Sequence, residues 1–290
     1  MIESRCGLRC KSCSWRESHG CGGCVETNGR PFHGECPIAI CCQQKGHSHC
    51  GECDIIPCDK LYAYSCLDPE HGDKPQGARV EVCRRWAAES GKQAWENMLL
   101  TSAGFEDMDG NQKSNIARRF LDMLNKPAGE AKVLFIPTAA VSVEAKKMAD
   151  CCFRELIGVG IAPENIATHD IDGGLTEDTA MLYDVLYFTG GDTAHLLRRV
   201  KDTSFDKIIK KMVYANKVYV GVSAGSIIAA PSIGEPYDKD AAGLCLVHAY
   251  ISVHCAGDSK PNAALPLPHI PLTDNQALAV NWRGYQVIEG

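Results

Sequence analysis

Apolar and polar positions follow two different textures along this chain. From about residue 97 onward, short unbroken apolar runs alternate with segments whose apolar residues recur every three or four positions. The unbroken runs predict strands buried on both faces, and the helical recurrence predicts helices packed on them. The strands expected are Asn97–Ser102, Lys132–Pro137, Asn165–Ile171, Asp184–Phe188, Val218–Val222, Tyr250–Val253 and Ala277–Val280. The helices expected are Gln112–Asn125, with residues 116, 117, 120, 121 and 124 inward, and Val143–Ile157, with 145, 148, 149, 152, 153 and 156 inward. Two more are Thr193–Val200 and Ser204–Tyr214. Strands alternating with helices give an α/β fold, a three-layer, doubly wound, mainly parallel sheet. Functional sites in such sheets lie off the carboxyl ends of the strands.

Residues 1–95 lack this pattern. They are rich in Gly, poor in long apolar runs, and dense in cysteine. Two domains are therefore expected: a small cysteine-rich, metal-binding domain over 1–95 and an α/β domain over 96–290.

Of the 17 cysteines, only Cys151, Cys152, Cys245 and Cys255 fall in the second domain. In the first, the spacings are Cys6-x3-Cys10-x2-Cys13, Cys21-x2-Cys24 and Cys50-x2-Cys53-x4-Cys58. Cysteines two residues apart can aim both sulfurs at one tetrahedral ion. These eight are the expected metal ligands, with zinc as the cofactor and an iron–sulfur cluster as the alternative. Metal binding would then supply folding energy that so small a core cannot. His47 and His49 flank Cys50, although loop histidines are more often plain surface residues. Cys6-x3-Cys10-x2-Cys13 also has the spacing of radical-SAM enzymes, but the long run of alternating strands and helices that those enzymes need does not surround it.

Charge and targeting signals narrow the setting. The net charge of -6 gives nucleic acid no basic surface to bind. No apolar run approaches the roughly 20 residues of a membrane span. The start, MIESRCGLRC, lacks the apolar core of a signal peptide. A cytoplasmic protein with reduced thiols is expected, with no membrane or nucleic-acid partner.

The strongest local motif is Gly221-Val222-Ser223-Ala224-Gly225, directly after the strand Val218–Val222. A strand running into Gly-x-Ser-x-Gly and then a helix is the sequence form of a nucleophile elbow. A second glycine turn, Thr189-Gly190-Gly191-Asp192-Thr193, follows Asp184–Phe188. The N–H groups of Gly191 and Ala224 are the expected oxyanion hole. Gly190, Asp192, Thr193 and Asp274 are expected to line a substrate pocket. The plain alternative makes Asp192 a helix cap.

An activated serine needs a base and an acid that orients it. His254 ends the strand-like Tyr250–Val253 and is the base expected. His248 starts that strand, and His269 lies between prolines in an apparent loop. The residues leave the acid open among Glu235, Asp238, Asp240, Asp258 and Asp274. An α/β-hydrolase is excluded, because the tail after Ser223 is short and almost without helical pattern.

These motifs, with Leu272-Thr273-Asp274 before the strand Ala277–Val280, make Asn97–Gly290 resemble the dipeptidase E (aspartyl dipeptidase) family of serine peptidases, which includes cyanophycinase relatives. The resemblance implies a fold related to class I glutamine amidotransferases, with Ser in place of Cys at the elbow. It implies Ser223 as nucleophile, His254 as base, Asp238 as acid (15 residues after the serine) and Gly191 in the oxyanion hole. It implies hydrolysis of dipeptides or short peptides with no cofactor for catalysis. No arginine lies between Cys255 and Trp282, so the family's preference for N-terminal Asp is not carried over. Residues 4–95 resemble a cysteine-rich domain of unknown function from bacteria and archaea, through Cys6–Cys13, Cys21–Cys24, Cys36–Cys41, Lys45–Cys53 and Pro57–Leu61. That resemblance implies a closing helix over Ala78–Glu89, followed by Gly91 and Trp95. Two other readings stand beside the peptidase. One is a metal-dependent sensor or adaptor whose cysteine domain binds a protein partner and whose peptidase fold is vestigial. The other is a different amide hydrolase, such as a cyanophycinase-like enzyme.

Overall fold

The computed structural model describes residues 2–91, 97–107, 109–171, 174–236, 238–281 and 283–290. The chain divides into two compact units, Met1–Ala94 and Trp95–Gly290. Trp95 itself lies outside the described residues.

The first unit is built from short helices: α1 (Ser14–Ser18), α2 (Gly23–Glu26), α3 (Pro37–Gln44), α4 (Asp59–Tyr62) and α5 (Ala78–Glu89). Short 3-10 turns occur at Cys10–Ser12 and Cys50–Glu52. Its core mixes Ile38, Ile56, Leu61 and Val80 with buried cysteines, among them Cys42, Cys50, Cys66 and Cys83. None of the 17 cysteines is joined in a disulfide. Buried thiols act here as small apolar residues and supply core volume that a chain poor in Leu and Phe otherwise lacks. Beneath the N-terminus of α5, Asp73 receives the Arg79 N–H at 2.7 Å and the Ser65 hydroxyl at 2.5 Å.

The second unit holds a seven-stranded sheet among its described residues. The strands are β1 (Met98–Thr101), β2 (Val133–Ile136), β3 (Ile166–Thr168), β4 (Val185–Phe188), β5 (Val218–Val222), β8 (Gln276–Asn281) and β9 (Gly284–Glu289), while β6 (Tyr250–Ser252) and β7 (His269–Pro271) pair separately. The order is β3-β2-β4-β5-β1-β8-β9. The five strands from β3 to β1 run parallel, and β8 and β9 close one edge antiparallel. The helices are α6 (Ser114–Met123), α7 (Val143–Gly158), α8 (Glu177–Ala180), α9 (Thr193–Asp202), α10 (Phe205–Tyr214) and α11 (Ala224–Ile227).

Side chains alternate across the sheet with period two. Leu99, Val133, Phe135, Val185, Tyr187, Val220 and Ala279 pack with Ile116 and Phe120 of α6 and with Ala149, Cys152 and Leu156 of α7. The opposite face carries Phe188 and Tyr219, which meet in a tilted ring pair, and Phe188 also stands edge-on to Phe205 of α10. Both faces are covered, which is why the parallel strands read as continuous apolar runs. This is the mainly parallel α/β architecture expected.

Some details depart from expectation. On α6, Leu121, expected inward, is exposed, and Met123 is buried instead. On α7, Met148 is 61% exposed, whereas Glu155 is buried. The Glu155 carboxylate accepts the Phe105 N–H at 2.9 Å and the Glu106 N–H at 3.3 Å, so hydrogen bonding overrides the apolar pattern. The strand expected over Asn165–Ile171 shortens to Ile166–Thr168, at the edge of the sheet. And His269–Pro271, expected as loop, is strand β7, paired parallel with β6.

Candidate active site

The elbow forms where β5 meets α11. Ser223 adopts φ 48° and ψ −104°, a strained conformation for a residue with a Cβ. Its backbone is held from several sides. The Ser223 N–H donates to Thr101 O at 3.0 Å. The Ser226 hydroxyl lies 2.8 Å from Thr101 O and 2.7 Å from Gly221 O, and the Tyr219 hydroxyl donates to Gly225 O at 2.6 Å. Gly225 is required by close packing: a Cβ there would lie 2.6 Å from Phe188 Cβ.

The Ser223 hydroxyl lies 2.9 Å from Nε2 of His254, and His254 Nδ1 lies 2.6 Å from Oδ1 of Asp274. An ionised carboxylate only accepts, so Nδ1 carries the proton and Nε2 is left to accept from the serine. Burial pushes the Asp274 carboxyl up. The hydrogen bonds from His254 and Ser102, with the nearby Lys113 ammonium, outweigh burial and hold it below the usual carboxylate range. Asp274 is therefore ionised at neutral pH.

The carboxylate facing His254 is thus Asp274 and not Asp238, which corrects the acid that the resemblance implied. Asp238 is exposed, and its Oδ1 accepts the Asp240 N–H at 3.0 Å. The reason lies in the small parallel pair. Tyr250, Ile251 and Ser252 of β6 stand opposite His269, Ile270 and Pro271 of β7. Parallel pairing puts both carboxyl ends on the same side. His254 follows β6 and Asp274 follows β7, so the two side chains meet. Asp274 therefore stands beside His254. His269 is otherwise engaged: its Nε2 is 2.8 Å from the Ser252 hydroxyl and its Nδ1 accepts the Asn262 N–H at 2.9 Å.

The second glycine turn adjoins Ser223. A Cβ on Gly190 would stand 3.1 Å from Ser223 Cβ, and one on Gly191, at φ +140°, would overlap the Ala139 carbonyl. Ala224 opens α11 immediately after Ser223. Asp192 caps α9, its carboxylate accepting the His195 N–H at 2.8 Å, and Thr193 is the first residue of that helix. A cavity of about 620 Å³ has Ala140, Phe135 of β2, Thr168 of β3 and His195 of α9 on its wall, and none of Ser223, His254 and Asp274 lines it.

The expected metal ligands fall into separate neighbourhoods of the first unit. Cys6, Cys10, Cys13, Cys21 and Cys24 line one cavity of about 830 Å³ together with Cys36, which spacing alone did not single out. Burial pushes the Cys10 thiol up to about 12 and the Cys24 thiol up to about 11. Cys53 sits elsewhere, 3.8 Å from the Lys45 ammonium. Cys50 is buried beside Cys42 and Cys83. His49 is also buried, its Nδ1 accepting the Gly51 N–H at 3.1 Å. Among the described residues, no group of three or more His, Cys, Asp or Glu is placed to hold a metal ion. Among the same residues, no helix is long and apolar enough to cross a membrane.

Residues 14–63 match a protein family of unknown function, DUF3795. The chain is 37% identical over 144 residues to an uncharacterized peptidase of Listeria innocua, covering 48% of this chain and 61% of that protein. An uncharacterized peptidase of Pasteurella multocida is 27% identical over 180 residues, covering 56% of this chain and 86% of its own. The chain thus spans about three fifths of the length of the Listeria relative. A solved structure of a candidate peptidase E protein from Listeria monocytogenes superposes with a TM-score of 0.51 at 23% identity, covering 67% of this chain and 98% of its own, and so supports the fold. Residues 98–281 match peptidase family S51, and the chain belongs to that family.

Proposed function

We propose that the second unit is a serine peptidase that hydrolyses dipeptides or short peptides through an acyl-enzyme on Ser223. The observation that carries this is the unbroken chain Ser223 Oγ, His254 Nε2, His254 Nδ1, Asp274 Oδ1, set on a strained elbow. His254 takes the Ser223 proton as Oγ attacks the amide carbonyl. Gly191 and Ala224 N–H groups receive the oxyanion. His254 then gives that proton to the leaving amine as the C–N bond breaks. Water, deprotonated by the same imidazole, attacks the ester, and Ser223 regains its proton as the acid leaves. Asp274 stays ionised and holds the imidazole in the required tautomer.

The test is fluorophosphonate labelling beside hydrolysis of a dipeptide panel. Wild-type protein should label and cleave, and Ser223→Ala should do neither. Retained labelling in Ser223→Ala sinks the assignment. Cleavage of a branched Asp–Arg polymer in preference to dipeptides would move the reading to the cyanophycinase-like alternative.

The first unit supports a second, separate reading, that of a metal-binding sensor or adaptor with a protein partner. Six thiols around one cavity favour zinc, or an iron–sulfur cluster, in that unit. The side chains as placed do not converge, so loading would require them to reorient. Elemental analysis with a visible absorption spectrum of protein purified without oxygen decides it, and metal-free, folded protein would rule it out.

A further inference from the structure

We propose that Ser102 is a positioning residue of the Ser223–His254–Asp274 site, its hydroxyl tying the histidine backbone and the carboxylate to the end of β1. The inference rests on the serine peptidase reading above. Ser102 follows the last residue of β1 and is completely buried. Its Oγ accepts the His254 N–H at 2.8 Å and donates to Asp274 Oδ1 at 2.9 Å. One hydroxyl has one proton and two lone pairs, so it can fill both roles together. The direction of each bond is set by the partner, since an N–H only donates and a carboxylate only accepts.

The same Oδ1 takes the His254 Nδ1 proton. The bonds therefore close a ring that runs from Ser102 Oγ to Asp274 Oδ1, on to the imidazole, back through the His254 backbone, and home to Oγ. Such a ring sets the imidazole relative to the carboxylate, which neither bond does alone. His254 needs that support. Its side chain is 52% exposed and that of Asp274 is 51% exposed. Each follows a strand of only three residues. His254 also sits at φ 55°, in the left-handed region that a non-glycine residue occupies at a cost. β1, by contrast, is fully buried between β5 and β8. Its end serves both halves of the site: Thr101 O holds the Ser223 N–H, and the next residue, Ser102, holds the base and its acid. Ser102 therefore acts through His254 and Asp274, with no role at the reacting atoms.

The experiment measures fluorophosphonate inactivation of the full chain, separating the maximal rate kinact from the binding constant KI. Ser102→Ala should lower kinact by roughly 5- to 150-fold, the range for leaving a buried polar group unpaired, with KI unchanged. In an Asp274→Asn background the same substitution should cost less than about threefold, because the ring is already broken. Ser102→Cys keeps a weak donor of similar size and should fall between. Far-UV circular dichroism checks folding, and if Ser102→Ala does not fold, Ser102→Cys carries the same two comparisons. A kinact within about twofold of wild type, or an undiminished loss in the Asp274→Asn background, overturns the proposal. Wild-type protein that labels no faster than Ser223→Ala overturns the peptidase reading itself, and this inference with it.

Discussion

The two units use burial differently. In Trp95–Gly290 the core is a continuous block of aliphatic and aromatic side chains on both faces of a sheet. Its elements announce themselves by period, because a residue's place in the pattern decides whether it meets the core. In Met1–Ala94 the helices other than α5 are of eight residues or fewer, and sulfur replaces much of the hydrocarbon. There the sequence pattern is one of spacing between cysteines. Spacing tells which chemistry a residue could serve, but not which neighbours it will have. Cys50 and Cys53 share a Cys-x2-Cys pair, yet Cys50 is buried beside Cys42 and Cys83 while Cys53 has the Lys45 ammonium at 3.8 Å. Cys36, outside every such pair, joins the thiols of the large cavity.

Substitutions can break or sharpen this contrast. The largest effect is expected from Ser223→Ala, which should reduce peptide hydrolysis by about a thousandfold or more. Next is a paired comparison of acids. Asp274→Asn should lower kcat by roughly two to four orders of magnitude, whereas Asp238→Asn should stay within about twofold of wild type. The reverse ranking would restore Asp238. Gly225→Ala forces a Cβ against Phe188 and should destabilise the second unit by about 1–3 kcal/mol, read by thermal melting.

A pH titration of stability is a finer probe. The folded Asp274 carboxyl lies below its unfolded value. Its contribution is therefore fully present above the ordinary carboxylate range, about pH 4, and is lost as pH falls through the depressed folded value. Wild-type stability should lose an increment below about pH 4 that Asp274→Asn never has; identical acid profiles would count against the ionised Asp274. The smallest effect on activity is expected from the first unit. The partners described above for Ser223, His254 and Asp274 all belong to the second unit. Cys10→Ala should thus lower the melting temperature of the first unit by removing a buried sulfur, at a cost of about 1 kcal/mol, and leave labelling of Ser223 within about twofold. A large loss of labelling would show that the two units act together.

Much of the second unit was legible because its physics is local. Continuous apolar runs, a Gly-x-Ser-x-Gly after a strand and a histidine at a strand end all express themselves within a dozen residues. What was not legible depended on pairing across distance. His269–Pro271, flanked and closed by proline, carries the marks of a loop, since proline cannot donate to a ladder. It is nevertheless a strand, because a two-stranded pair leaves an edge where a missing N–H costs little. Met148 and Glu155 exchange their expected places because two backbone N–H groups near Phe105 need an acceptor.

The sequence by itself determined the α/β class, the elbow at Ser223 and the candidate base His254, because each follows from residue type and short-range order. Only the tertiary structure decided that Asp274 faces His254, that Ser102 joins them, and that Cys36 stands with the cavity thiols. Those choices depend on which strand ends and loops come together, and that is set by parallel pairing and sheet order between segments as much as 172 residues apart.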